Sequence, residues 1–378
     1  MAGMRIAYVL PSLGMGGAER QVVALAERMA ARGHTIRLLV LRPRQAEEWP
    51  TTVDCVYLDM RKTPAGVLGA LVRGRRFLCS FKPDLIHSHV FPANMTARLL
   101  RLSATGPRLI STVHNVYEGP WWRMAAYRLT DPLSSHNTAV SQAAADRYVR
   151  LKAVPARKCS VITNGIDTAE FAPSAERRAR MRAEMGAGDG FVWLAAGRIA
   201  PAKDYPNLLH AFACLRESDL RARLWIAGEP AGRKTGAVQA MAAKLGIEAA
   251  VRLLGLRRDM PDLFDAADGF VLASAWEGMP LVVGEAMAME KPVAATDVGG
   301  VRELAGDCGL IVPACFPSAL AEAMLDLMRR TPEARGSQGR TARGRIVGQF
   351  GMDAKVDEWE ALYRRMLAEN ACSDDARC

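Results

Sequence analysis

No run of about eighteen apolar residues occurs in this chain, and no charged N-terminal region precedes an apolar block. Met4–Leu10 is too short for a spanning helix or a secretory leader, so a cytoplasmic protein is expected. The eight cysteines form no Cys-x-x-Cys pair and no zinc spacing. They read as buried or inert thiols, with Cys372 and Cys378 in a polar tail. The first glycine cluster lacks the Gly-x-Gly-x-x-Gly spacing, and no acidic residue closes the second apolar run at Ile36–Leu41, which disfavours a nicotinamide site. No Asp-x-Asp stands in a site context, so no divalent metal or other cofactor is expected. Zinc-finger, RNA-recognition and basic-zipper patterns are missing too, and nucleic acid is not an expected partner.

The length of 378 residues suits two domains, and 50% hydrophobic with 24% charged residues is a globular balance. The net charge of +10 is unevenly placed. Residues 1–170 carry 23 Lys and Arg against 12 Asp and Glu, while the remainder carries 27 against 28. A basic first half suits a phosphorylated substrate or an anionic lipid surface.

Apolar runs alternate with helical patterns throughout, which is the signature of parallel α/β domains. Arg5–Leu10 reads as a buried strand, followed by Gly14-Met15-Gly16-Gly17-Ala18-Glu19 at a strand-to-helix junction, where glycines let backbone approach a phosphate. Asp84–His89 and Leu109–Asn115 read as strands ending in His87-Ser88-His89 and Thr112-Val113-His114-Asn115. Doubly wound sheets bind ligands at the carboxyl ends of their strands, and both histidine clusters fall there. Gly119–Arg128, with Trp121, Trp122 and Arg123, has the composition of a segment at a membrane interface or of a core helix with surface arginines. Residues 171–190 are charged and free of strand pattern, and mark the domain boundary. The resulting units are 1–170, joined by a C-terminal helix at 353–370, and 171–352.

In the second half, Phe191–Ala196 is a strand that leads into Gly197-Arg198-Ile199-Ala200-Pro201-Ala202-Lys203. Arg198 and Lys203 at a strand end can neutralise a diphosphate. Further on, Glu277 and Glu285 stand eight positions apart in Trp276-Glu277-Gly278-Met279-Pro280-Leu281-Val282-Val283-Gly284-Glu285. The Gly278–Pro280 turn is expected to open a helix, with proline in its first turn. Glu277 is then offered to a sugar, the amides near Leu281 and Val282 to a diphosphate, and Glu285 to ribose hydroxyls.

These motifs together resemble glycosyltransferase family four, the retaining nucleotide-sugar enzymes with a Glu-x7-Glu motif. The resemblance runs from Gly14 to Glu303 and includes the Gly-Arg-x4-Lys run; Lys203-Asp204 stands where many members have Lys-Gly. It implies a GT-B fold, two doubly wound Rossmann-like domains facing across a cleft, the first for acceptor and the second for donor. It places Gly16 and Gly17 against donor diphosphate or acceptor, His114 near the donor sugar, and His87 and His89 on the acceptor side. Gly228, Leu256 and Arg257 fall near the base. The implied reaction moves a hexose or N-acetylhexosamine, UDP-linked by preference, to a hydroxyl of a lipid-linked or saccharide acceptor in surface-polysaccharide synthesis. Together with the Trp121–Arg123 segment and Arg75-Arg76, this points to a cytoplasmic enzyme peripheral to the anionic inner membrane. A nucleotide-sugar epimerase or hydrolase, and a silent nucleotide-sugar-binding subunit, are the alternatives.

Overall fold

A computed structural model describes residues 3–45, 48–102, 106–228 and 234–375. It divides into two compact units. The first comprises Met1–Gly165 and Met352–Cys378, and the second Ile166–Gly351.

The first unit contains β1 (Arg5–Leu10), α1 (Gly17–Ala31), β2 (Thr35–Val40), β3 (Cys55–Tyr57), α2 (Pro64–Phe81), β4 (Leu85–His89), α3 (Phe91–Arg101), β5 (Arg108–Val113), α4 (Trp122–Thr130), β6 (His136–Ala139), α5 (Gln142–Arg150) and β7 (Cys159–Val161). The second contains α6 (Ala175–Glu184), β8 (Val192–Ala196), α7 (Tyr205–Ser218), β9 (Arg223–Ala227), α8 (Lys234–Lys244), β10 (Val251–Gly255), α9 (Met260–Ala266), β11 (Gly269–Leu272), α10 (Leu281–Ala288), β12 (Val293–Thr296), α11 (Val301–Ala305), β13 (Leu310–Val312), α12 (Pro317–Arg329) and α13 (Pro332–Phe350). The last helix, α14 (Met352–Asp375), belongs to the first unit.

Both sheets are parallel, in the orders β3-β2-β1-β4-β5-β6-β7 and β10-β9-β8-β11-β12-β13. Parallel strands covered by helices on both faces need continuous apolar runs, and β1, β8 and β11 supply them. In each sheet the strand order reverses at a single place, between β1 and β4 in the first and between β8 and β11 in the second. Loops leaving the carboxyl ends of strands at such a reversal diverge and leave room for a ligand.

One expectation is corrected here. The charged stretch 171–190 is not the domain boundary but part of the second unit: it carries α6, whose Arg177 pairs with Asp265 at 2.7 Å and whose Arg178 and Arg182 pair with Asp268 at 2.5 and 3.0 Å. The chain passes between units earlier, at Gly165–Ile166, and again at Gly351–Met352. Helix α13 forms despite its four glycines. Thr331 caps it by accepting the Ala334 N–H, Pro332 occupies its first turn, and a Cβ on Gly339 would lie 2.2 Å from the Glu290 carbonyl oxygen. Close backbone packing, not propensity, sets that residue.

The middle of the first unit is held by a buried cation. Arg98 on α3 is fully enclosed, and donates to the Tyr127 carbonyl (2.9 Å), Thr130 Oγ1 (2.9 Å), Asn137 Oδ1 (2.7 Å) and Ser111 Oγ (3.3 Å). It thus ties α3 to β5, α4 and β6. Arg98→Ala orphans these acceptors and opens a cavity, and is expected to destabilise the first unit by about 3 kcal/mol or more in urea unfolding. Arg98→Lys should restore little of this, because one ammonium cannot span the four acceptors.

Candidate active site

In the second unit, the carboxyl ends of β8 and β11 bring together the two motifs singled out from the sequence. Lys203 Nζ donates to Glu277 Oε1 at 2.7 Å, and Ser274 Oγ donates to the same oxygen at 2.7 Å. The Ala275 N–H reaches the Ala202 carbonyl at 2.8 Å, which ties one loop to the other. Thr296 Oγ1 donates to the Ser274 carbonyl, and the Gly300 N–H to the Gly278 carbonyl, both at 2.7 Å. Gly299, at φ +54°, lies so close that a Cβ would meet the Glu277 carbonyl oxygen at 2.3 Å. Glu277 is 9% exposed and is held from three directions. Among the described residues both of its bonds fall on Oε1, which leaves Oε2 for a ligand.

Helix α10 begins at Leu281, with Pro280 as its N-cap rather than in its first turn, and Met279 is buried just before it. The N–H groups at Leu281 and Val282 open the helix. Glu285 lies in its second turn and is 3% exposed. Arg198 is exposed on the loop after β8. Lys203 was expected as a diphosphate cation, and its charge is shared with Glu277. Asp204 stands where glycine is usual because the backbone is left-handed there (φ +43°); its side chain repays the strain by capping α7 at the Asn207 N–H. The Gly228 N–H donates to the Gly255 carbonyl at 2.8 Å, at the ends of β9 and β10. Glu229 and Pro230 of the same turn lie outside the described residues. Leu256 is half-buried. Arg257 was expected near the base; it forms a two-bonded pair with Asp259 (2.8 and 2.5 Å), so its guanidinium is already committed.

In the first unit the histidines converge at the ends of β4 and β5. His89 Nδ1 lies 3.0 Å from His114 Nε2, and the rings of His87 and His89 are in tilted contact, centroids 3.9 Å and planes 44° apart. Burial lowers all three imidazoles and holds His114 down to about 4, so the cluster is neutral near pH 7. His87 is not on an acceptor surface. It is fully buried, and its two ring nitrogens are bonded to Tyr363 Oη (2.7 Å) and Thr112 Oγ1 (2.6 Å). Arg123 is likewise withdrawn: it lies over the Phe91 ring and donates to the Glu118 carbonyl. Trp122 packs edge-on against Phe91, whereas Trp121 and Leu129 are 81% and 80% exposed. Gly16 caps α1 and Gly17 begins it, but a Cβ on Gly16 would lie 2.2 Å from Glu19 Oε2. A carboxylate already fills that space, so hydroxyls suit this loop better than a diphosphate.

Sequence reasoning missed Ser274, whose only signal is its place three residues before Glu277, and Glu118, a single acid in an apolar stretch. Glu118 accepts from Tyr127 Oη at 3.0 Å. Burial pushes its carboxyl up to about 7, against the opposing effects of Tyr127 and Arg123.

The solved structures most like this chain share its fold. The Anabaena protein Alr3699/HepE, in complex with UDP and glucose, superposes with TM-score 0.85 at 20% identity, over 96% of this chain and all of that one. WaaG, a glycosyltransferase involved in lipopolysaccharide biosynthesis, superposes with TM-score 0.74 at 20% identity, over 93% and 98%. The architecture is therefore GT-B. The pattern described as Glycosyltransferase Family 4 matches residues 15–170, and that of Glycosyl transferases group 1 matches 190–330. A D-inositol 3-phosphate glycosyltransferase of Saccharomonospora viridis is 29% identical over 93% of this chain and 90% of its own. The chain is a glycosyltransferase of the family-four type.

One prediction concerns Glu118. Its folded form keeps a proton that the unfolded chain releases near 4.5. The stability it contributes is complete below about 4.5 and is lost as pH rises through about 7. Relative to Glu118→Gln, the wild type should lose about 3 kcal/mol across that window in urea titrations, and the variant should show no such slope.

Proposed function

We propose that the enzyme transfers a hexose or N-acetylhexosamine from a nucleoside diphosphate to an acceptor hydroxyl with retention of anomeric configuration, UDP being the favoured carrier. The observation that carries this reading is the Lys203–Glu277–Ser274 cluster at the strand reversal of the second unit. The chemistry must stabilise a departing diphosphate and a sugar that becomes cationic. Glu277 Oε2, fixed by the two bonds on Oε1, receives sugar hydroxyls. The first N–H groups of α10, Arg198, and the remaining donors of Lys203 receive the diphosphate. Glu285 takes the ribose. His114, kept neutral by burial and paired with His89, bonds a sugar hydroxyl without adding charge.

This donor set consists of backbone amides and cations, and among the described residues no group of three His, Cys, Asp or Glu is placed to hold a metal ion. The proposed chemistry uses none. It also offers no plain nucleophile, so attack on the front face, with the leaving diphosphate as base, fits better than double displacement. The UDP and glucose in the HepE complex support the donor class.

For the acceptor we favour a lipid-linked or saccharide hydroxyl in surface-polysaccharide assembly, at the cytoplasmic face of an anionic membrane. Supporting this are the basic first unit, exposed Trp121 and Leu129, and α2, which exposes Leu68 and Val72 beside Arg75 and Arg76. No helix among the described residues is long and apolar enough to cross a membrane.

Titration calorimetry with UDP, GDP and ADP should show one of them, UDP by this reading, binding without magnesium. Binding that requires magnesium would overturn the metal-free site. Glu277→Gln should retain nucleotide affinity while kcat falls about a hundred-fold; wild-type turnover would remove Glu277 from its role. In flotation assays the protein should rise with anionic vesicles, and Trp121→Ala with Leu129→Ser should reduce that binding about ten-fold.

A further inference from the structure

Helix α14 closes the chain and packs into the first unit, and its apolar stripe reads as ordinary core. Two of its side chains do more. Trp359 lies against the His87 ring with centroids 4.5 Å apart, and Tyr363 Oη meets His87 Nδ1 at 2.7 Å. The contact continues in both directions. Tyr363 Oη also lies 3.1 Å from Tyr8 Oη on β1, while His87 Nε2 reaches Thr112 Oγ1, which lies 2.6 Å from Thr138 Oγ1 on β6. All of these groups are buried.

A neutral imidazole has one donor nitrogen and one acceptor nitrogen, and a hydroxyl has one proton to give. The series Tyr8, Tyr363, His87, Thr112, Thr138 is therefore satisfied when every bond points the same way, in either direction. Deleting the Tyr363 hydroxyl breaks the series for both directions, because His87 Nδ1 then faces no partner in a dry interior. His87 in turn packs at a tilt against His89, with ring centroids 3.9 Å and planes 44° apart, and His89 Nδ1 meets His114 Nε2. In so close a contact the plane of His87 limits the plane that His89 can take.

We propose that Tyr363 and Trp359 are positioning residues for the reaction, fixing the tautomer and plane of His87 and, through its ring contact with His89, the His89–His114 pair. This rests on the reading that His114 meets the sugar. Helix α14 thereby completes the histidine cluster of the first unit. Thr112 and Thr138 anchor the far nitrogen of His87 to the sheet, so α14 supplies the side of the arrangement that the sheet does not.

The test uses the full chain labelled with 15N-histidine, whose six imidazoles are resolved through their ring-nitrogen shifts, with His210 of the second unit as internal reference. Tyr363→Phe keeps the ring and removes the hydroxyl. The expected result is a changed tautomer for His87, displaced His89 and His114 resonances, an unmoved His210, and kcat lowered about ten-fold with donor KM changed less than about two-fold. Trp359→Phe, which keeps an aromatic face against His87, should retain activity, whereas Trp359→Ala should behave like Tyr363→Phe. Displaced His89 and His114 resonances with unchanged turnover would support the positioning and overturn the role of His114. Unmoved His89 and His114 resonances in Tyr363→Phe, whatever the turnover or the unfolding midpoint, would overturn the proposal.

Discussion

A parallel sheet covered by helices on both faces leaves chemistry only one place to go. Each strand is sealed along its length, crossovers return every connection to the same end, and functional side chains must collect on the loops beyond the carboxyl termini. In this chain the constraint acts twice. The β1/β4 reversal gathers the Gly14–Gly17 loop and the histidines, and the β8/β11 reversal gathers Lys203, Ser274 and Glu277. Neither group could be built in the middle of its sheet without displacing the apolar runs that hold the strands together.

The two units meet the demand for precise side-chain placement by different physics. The second uses charge: one carboxylate oxygen receives a lysine and a serine, and loop backbones are packed together around it. The first surrounds its histidines with neutral polar groups, anchored on one buried cation, Arg98. His87, Ser88, Asn94, Ser111, Thr112, Asn137 and Thr138 are buried in or against its sheet and bonded to one another or to Arg98 and Tyr363. Burial keeps its imidazoles uncharged. Networks of this kind are costly if half-satisfied and rigid when complete.

The strands and the strand-end motifs were legible because their causes are local. Apolar runs, glycines at junctions and cations at a fixed spacing carry their physics within ten or so residues. Remaining features depended on partners that the local sequence does not contain. His87 looks like a surface ligand until Tyr363, 276 residues away, is seen to occupy it. Gly339 of α13 packs against the carbonyl of Glu290, also far away in the chain. Arg257 is a different case: its partner Asp259 is only two residues on, and what the sequence does not announce is the turn that joins them. The charged stretch 171–190 reads as a domain boundary, because nothing nearby announces that its arginines will meet Asp265 and Asp268, half a domain away.

The discontinuity of the first unit also orders events during synthesis. The second unit is one uninterrupted segment, Ile166–Gly351, and can close on itself as soon as it has emerged. The first is begun earlier but lacks α14 until the whole of the second unit has been made, and until then Tyr8, His87 and the apolar face of α1 lack the cover that α14 gives them. The half of the enzyme that is made first is thus the last to be finished. A ribosome stalled within α14 leaves behind a chain with a settled second unit and an open seam in its first.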